Sequence, residues 1–212
     1  MDGVLFCNES DLPYATSVGP EVAAFAAFVI GAVRSEVRVP FGVNLLWDPI
    51  SSICTAAATG AAFVREVMCG SYATEMGILA PDPALVAQTR TRLRADGIAL
   101  FANVVPEFAT ALGDRTTAQR ASAAAYFGFD ALLVSGPVAG VPLDEADLRA
   151  AKDAVTIPVL ANTGVRAANV QSLLELADGA IVGSSLKVDG KTFNPVDPAR
   201  VREFVSAARR RD

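Results

Sequence analysis

The chain has 212 residues, 52% of them hydrophobic and 19% charged, which suits one compact domain over residues 1–212 with a large core. Its formal net charge of −5 speaks against non-specific nucleic-acid binding, and the absence of histidine removes Ser-His-Asp and Cys-His nucleophile systems together with imidazole metal ligands. Acid–base chemistry must then use carboxylates, lysine, cysteine or tyrosine.

Apolar runs and helix-like segments alternate along the whole chain. Val4–Cys7 reads as a strand, followed by a polar loop and a helix from Pro20 to Arg34 with proline in its first turn. Phe41–Leu46 is the second strand, and Pro49–Thr59 an alanine-rich helix ending at Gly60. Ala62–Val67 is the third strand. A longer loop from Cys69 to Pro81 leads into a helix over Pro83–Ala95, stopped by Gly97. Ile98–Val104 is the fourth strand, and Thr116–Phe127 the next helix, capped by threonine. Then come strand Ala131–Val134, helix Leu143–Ala154, strand Val159–Ala161, helix Ala167–Leu176, strand Ala180–Val182 and helix Pro198–Arg209.

The strands are continuous apolar runs, as parallel strands covered on both faces require, and strict βα alternation means an α/β fold. An open doubly wound sheet is the competitor, but no G-x-G-x-x-G follows an early strand. The last two strands run into Thr163-Gly164-Val165 and Gly183-Ser184-Ser185, glycine-plus-hydroxyl endings of the kind that close a (β/α)8 TIM barrel and hold phosphate on backbone N–H groups. Only seven βα units can be counted. Asp2-Gly3 resembles the turns Asp130-Ala131 and Asp178-Gly179, each of which follows a helix, so the expectation is a barrel lacking its first βα unit.

In such a barrel the functional face lies at the C-terminal strand ends. Phosphate-binding candidates are Thr163, Gly164, Val165, Gly183, Ser184 and Ser185; ordinary turn glycines and caps are the alternative. Glu9, Asp11 and Glu66 are the catalytic candidates, since paired carboxylates can share acid–base work or hold Mg²⁺, but solvated loop charge reads equally well. Arg65 can pair with Glu9 or Asp11, or hold a substrate carboxylate. Asn8, Asn44, Asn103 and Ser135 complete the substrate-binding candidates, with a satisfied buried layer as the plainer reading of the two later asparagines. Lys187 reads as a loop or oligomer-contact residue. Cys7, Cys54 and Cys69 are odd in number and widely spaced, which suggests neither disulfides nor zinc and points to a reducing cytoplasm. No dedicated metal site is read, and no cofactor is specified. No signal peptide is visible, and no apolar run reaches the roughly 18 residues of a membrane span. Arg209-Arg210-Arg211 reads as a solvated helix end, with peripheral membrane association left open.

The stretch Gly183-Ser-Ser-Leu-Lys-Val-Asp-Gly-Lys-Thr-Phe-Asn-Pro-Val-Asp197 resembles the signature of the BtpA/SgcQ-like barrel family. Glu21, Gly42–Leu46, Phe63–Arg65, Thr74–Gly77, Leu112–Arg115, Ser135-Gly136 and Thr163–Val165 match it too, so the resemblance covers essentially the whole chain. Family members begin with an additional strand. The family is associated by name with photosystem I biogenesis, and other members with sugar-metabolism clusters. This chain departs from the pattern at Asn103, where the family carries aspartate before a basic, histidine-containing stretch, and at Ala139, where threonine is expected.

Three readings stay open: an enzyme, or former enzyme, acting on a phosphorylated metabolite; a non-catalytic assembly or stability factor; and an inactive truncated form. A phosphorylated small molecule and a second copy of the chain are the expected partners.

Overall fold

Seven parallel strands form the wall of the molecule, in the order β1 (Val4–Cys7), β2 (Phe41–Asn44), β3 (Phe63–Glu66), β6 (Ala99–Val105), β8 (Ala131–Ser135), β9 (Val159–Asn162) and β10 (Gly179–Ile181). This structure, a computed structural model, describes residues 2–209, so Arg210 and Arg211 of the basic C-terminal run lie outside the described residues. Helices α1 (Pro20–Val33), α2 (Pro49–Thr59), α3 (Pro83–Arg92), α4 (Thr117–Tyr126), α5 (Glu145–Ala154), α6 (Val170–Leu174) and α7 (Pro198–Arg209) alternate with the strands.

The helices start where side chains satisfy their free N–H groups. Asp48 accepts from Ser51 N at α2, Thr116 and Gln119 form a reciprocal capping box at α4, and Asp144 accepts from Ala146 N at α5. Asp144 is why α5 begins two residues after the expected Leu143. α2 ends on Gly60, whose left-handed φ of 78° costs a glycine nothing. The central strands are apolar up to their C-terminal ends, and every residue of β8 is buried. Val43, Val64, Leu132, Val134 and Val159 are completely buried between sheet and helices, each contributing about 1.5–3 kcal/mol.

Two aspartates stitch the starts of neighbouring strands. Asp130 Oδ2 accepts from Leu100 N (2.7 Å), and Asp178 Oδ2 from Val159 N (2.8 Å). The turn similarity in the sequence is thus a repeated hydrogen-bonding device.

The segment expected as a plain loop from Cys69 to Pro81 instead contains a hairpin, β4 (Tyr72–Thr74) and β5 (Gly77–Leu79), joined by β7 (Ala109–Ala111) into a three-stranded antiparallel sheet. Tyr72, Leu79, Trp47 and Val67 form a second small core beneath it. Three-residue strands carry almost no periodicity, and the partner β7 is distant in sequence. The expected helix Ala167–Leu176 shrinks to α6.

β1 and β10 are the two edges of the parallel sheet, and no register joins them among the described residues. A cavity of about 2090 Å³ opens along this seam, reaching from Asp2 and Gly179 at one end to Gly164 and Ser184 at the other. α7, which lines it, has no fully buried residue, and α1 leaves Phe25 and Phe28 exposed.

Candidate functional site

The C-terminal ends of β2, β3, β6, β8 and β9 each deliver a buried polar side chain: Asn44, Arg65 with Glu66, Asn103, Ser135 and Asn162. Parallel strands all end on one face, so consecutive apolar runs that finish in a polar residue place those residues around one mouth.

Arg65 organises the centre. Its Nη1 donates to Asn44 Oδ1 (2.9 Å), and its Nη2 donates to both carboxylate oxygens of Glu107 (3.0 and 2.9 Å). Its Nε is buried without a partner. The expected pairing with Glu9 or Asp11 does not occur; Glu107, on the connection after β6, takes that place. Glu107 also accepts from Asn162 Nδ2 (2.9 Å), from Asn103 Nδ2 (3.3 Å) and from the Thr163 hydroxyl. Burial opposes its charge, yet the Arg65 guanidinium and the Thr163 hydrogen bond together outweigh that and hold its carboxyl below the usual range. Ser135 Oγ accepts from both Asn103 and Asn162 at 2.8 Å.

Glu66 lies deeper, 2% exposed. It accepts from Asn44 Nδ2, from Trp47 N (3.1 Å) and from Val67 N (2.9 Å). Burial pushes its pKa up to about 8, against the pull of Arg65 and of the two backbone donors. The Trp47 contact ends β2: the residue takes a φ of 73°, which stops the strand short of the expected Leu46.

The other carboxylate candidates are dispersed. Glu9 pairs with Lys187 Nζ, which also donates to Thr192 O, so the predicted loop lysine closes over the first strand's end. Asp11 accepts from Asn8 Nδ2 (3.1 Å), and Asn8 Oδ1 accepts from Leu46 N (2.8 Å); both act as turn residues, and neither lines the cavity.

The two glycine-plus-hydroxyl endings are adjacent. Ser185 Oγ donates to Val165 O (2.7 Å), tying the loop after β10 to the loop after β9. Ser184 Oγ lies 2.9 Å from Thr192 Oγ1. Among the described residues, the N–H groups of Gly164, Val165, Gly183, Ser184 and Ser185 donate to no backbone carbonyl, and all five residues line the cavity. Thr163 and Gly164 have consecutive left-handed φ values of 69° and 70°. A Cβ at Gly164 would come within 2.4 Å of Pro142 Cα, whereas one at Gly183 would meet open space. Only a three-residue helical turn follows β10, so these donors come from loop backbone rather than from a long helix end.

Sequence reasoning missed Glu107; Asn162 is visible in the sequence as a polar strand end beside Thr163, without an assigned role. Glu107 was detectable in principle, because an inward-facing Arg65 demands a counter-charge and β6 is the neighbour of β3. Among the described residues no cluster of three His, Cys, Asp or Glu side chains could hold a metal ion. No helix there is long and apolar enough to cross a membrane.

A curled parallel sheet with alternating helices and a polar mouth defines an α/β barrel of the TIM type. Solved structures agree: a 3-hexulose-6-phosphate synthase matches with a TM-score of 0.64 at 18% identity, covering 98% of this chain and 99% of that one. Thiamine phosphate pyrophosphorylase from Pyrococcus furiosus matches with a TM-score of 0.60 at 16% identity, covering 98% and 95%. Within that class the chain belongs to the BtpA family, whose family model matches residues 1–210. The sgc region protein SgcQ of Escherichia coli K12 is 42% identical over 97% of this chain and 77% of its own length. The photosystem I biogenesis protein BtpA of Synechocystis is 30% identical over 98% of this chain and 74% of its own.

Proposed function

We propose that the barrel mouth binds a phosphorylated small metabolite, with the phosphate held by the loops after β9 and β10. One observation carries this reading: two loops tied by Ser185 and Val165 bring together, along one cavity, glycines 164 and 183 and several residues whose N–H groups donate to no backbone carbonyl. Such N–H groups are preorganised donors for a phosphate oxygen, and glycine lets the backbone come close. The sugar-phosphate and thiamine-phosphate names of the structural neighbours fit the same ligand class. The Ser184 hydroxyl, shared with Thr192, adds a donor at the rim, while those of Thr163 and Ser185 are engaged by Glu107 and Val165 O.

If the bound metabolite is also transformed, Glu66 is the acid–base group of choice, because its carboxyl titrates close to neutral pH. Glu9, held by Lys187 at the same mouth, is the second candidate. Asp11 lies off the cavity, and a role for it is confined to holding the loop. An assembly role, suggested by the name of the Synechocystis relative, is the second reading. It draws support from the mouth donors that already bond the carboxylate of Glu107.

The test is thermal stabilisation by inorganic phosphate and by sugar phosphates. The unmutated chain should melt higher in their presence. Gly183→Trp, whose side chain enters open space, should fold and lose the shift. No shift for the unmutated chain with any phosphorylated compound defeats the phosphate reading and leaves the assembly reading.

A further inference from the structure

Glu107 is held in a way that suits a ligand better than a structural ion pair. Four donors converge on it from three strand ends: Arg65 from β3, Asn103 from β6, and Asn162 with Thr163 from β9. Glu107 itself comes from the connection after β6, and its side chain is 16% exposed toward the cavity that all five residues line. The pairing is also incomplete. One nitrogen of Arg65 serves both carboxylate oxygens, and Nε is left buried with no acceptor. A guanidinium binds carboxylate best through two parallel N–H···O bonds. Thr163 has a left-handed φ of 69° and Phe108, next to Glu107, one of 54°. Strained non-glycine residues of this kind concentrate at ligand sites.

We propose that Arg65, Asn103, Asn162 and Thr163 form a carboxylate-binding site which the chain's own Glu107 fills as an internal stand-in. The natural ligand then carries a carboxylate besides its phosphate: it is a phosphorylated acid rather than a neutral sugar phosphate. The first statement stands alone; the second rests on the phosphate reading above. Binding exchanges one carboxylate for another on the same donors. The displaced Glu107 moves into the cavity, and water solvates it there. No bond is made or broken. Because the tethered carboxylate competes at high effective concentration, an incoming acid binds the native chain weakly and the emptied site strongly.

The experiment removes the stand-in. Glu107→Ala and Glu107→Asp, the latter shortening the reach by one methylene, are titrated calorimetrically with acetate and malonate, and their melting is followed in parallel. Glu107→Ala should gain at least tenfold affinity for these carboxylates over the unmutated chain, with Glu107→Asp between the two. If Glu107→Ala folds only when acetate is present, that too is the expected behaviour. Two matched pairs then address the ligand: glycerol 3-phosphate against 3-phosphoglycerate, and glucose 6-phosphate against 6-phosphogluconate. The acid of at least one pair should bind Glu107→Ala at least tenfold more tightly than its partner, and adding Arg65→Met should erase the preference. A site that only buries a structural ion pair gives acetate rescue but no preference within either pair, and that result overturns the ligand assignment. No gain for acetate or malonate in any folded variant, or no recovery of an unfolded one at any acetate concentration, overturns the site itself. Failure of the phosphate reading looks different: acetate still binds Glu107→Ala, but inorganic phosphate binds neither that variant nor the unmutated chain.

Discussion

A carboxyl group enclosed by Asn44, Trp47 and Val67 changes charge at a pH set by its surroundings. Glu66 has a folded pKa of about 8 against 4.5 in an open chain. Between those values the folded state keeps a proton that the unfolded chain has released. Its stabilising contribution is therefore complete below the unfolded value and lost as pH rises through the folded one. Unfolding free energy should fall by up to about 1.4 kcal/mol per pH unit across that window, one proton's worth. Glu107 and Asp178, both held below the usual carboxylate range, act the opposite way and in more acid solution. Urea unfolding from about pH 5 to about pH 8, between the unfolded and folded values, should show the slope in the native chain and a flatter one in Glu66→Gln. Equal slopes would mean that Glu66 does not titrate in this window. At this scale the sequence exposes Asn44, Arg65, Glu66, Asn103 and Ser135, because each interrupts an apolar strand at its end. Glu107 stayed hidden, since a glutamate between Pro106 and Phe108 looks like any loop residue until the neighbour of β3 is known.

Elements are joined by small repeated devices. Asp130 and Asp178 each accept a backbone N–H from the adjacent strand, Leu100 and Val159 respectively. A hydrogen bond to a charged acceptor contributes about 1.5–3 kcal/mol, less where solvent reaches it. Asp178 is part-exposed and shared with Lys152, so Asp178→Ala should cost about 1 kcal/mol, and Asp178→Asn, which keeps an acceptor, distinctly less. Chemical denaturation of the two variants checks the order; equal losses would assign the effect to charge alone. The alternation of strand and helix is legible because long apolar runs and caps such as Asp48, Thr116 and Asp144 announce themselves locally. The β4–β5–β7 sheet is not, because its cohesion lies in pairings such as Tyr72 with Ala111, which no local pattern encodes.

For the molecule as a whole, the seam between β1 and β10 is the dominant feature. Unpaired strand edges, together with the exposed Phe25 and Phe28 of α1, invite contact with a second chain. Sedimentation should show self-association that strengthens with concentration, and Phe28→Glu should weaken it; a monomer at all concentrations would remove this expectation. The seam also turns one side chain into a chemical reporter. Cys7 is exposed on the edge strand, although its sulfur turns onto Asn44 Oδ1 (3.7 Å), where burial pushes the thiol up to about 12. Cys69 is buried, and Cys54 is only partly accessible. In a Cys54→Ser background, slow maleimide labelling at Cys7 then measures how often the seam is uncovered. Its rate in dilute and concentrated solution reads the occupancy of that edge without a spectroscopic probe.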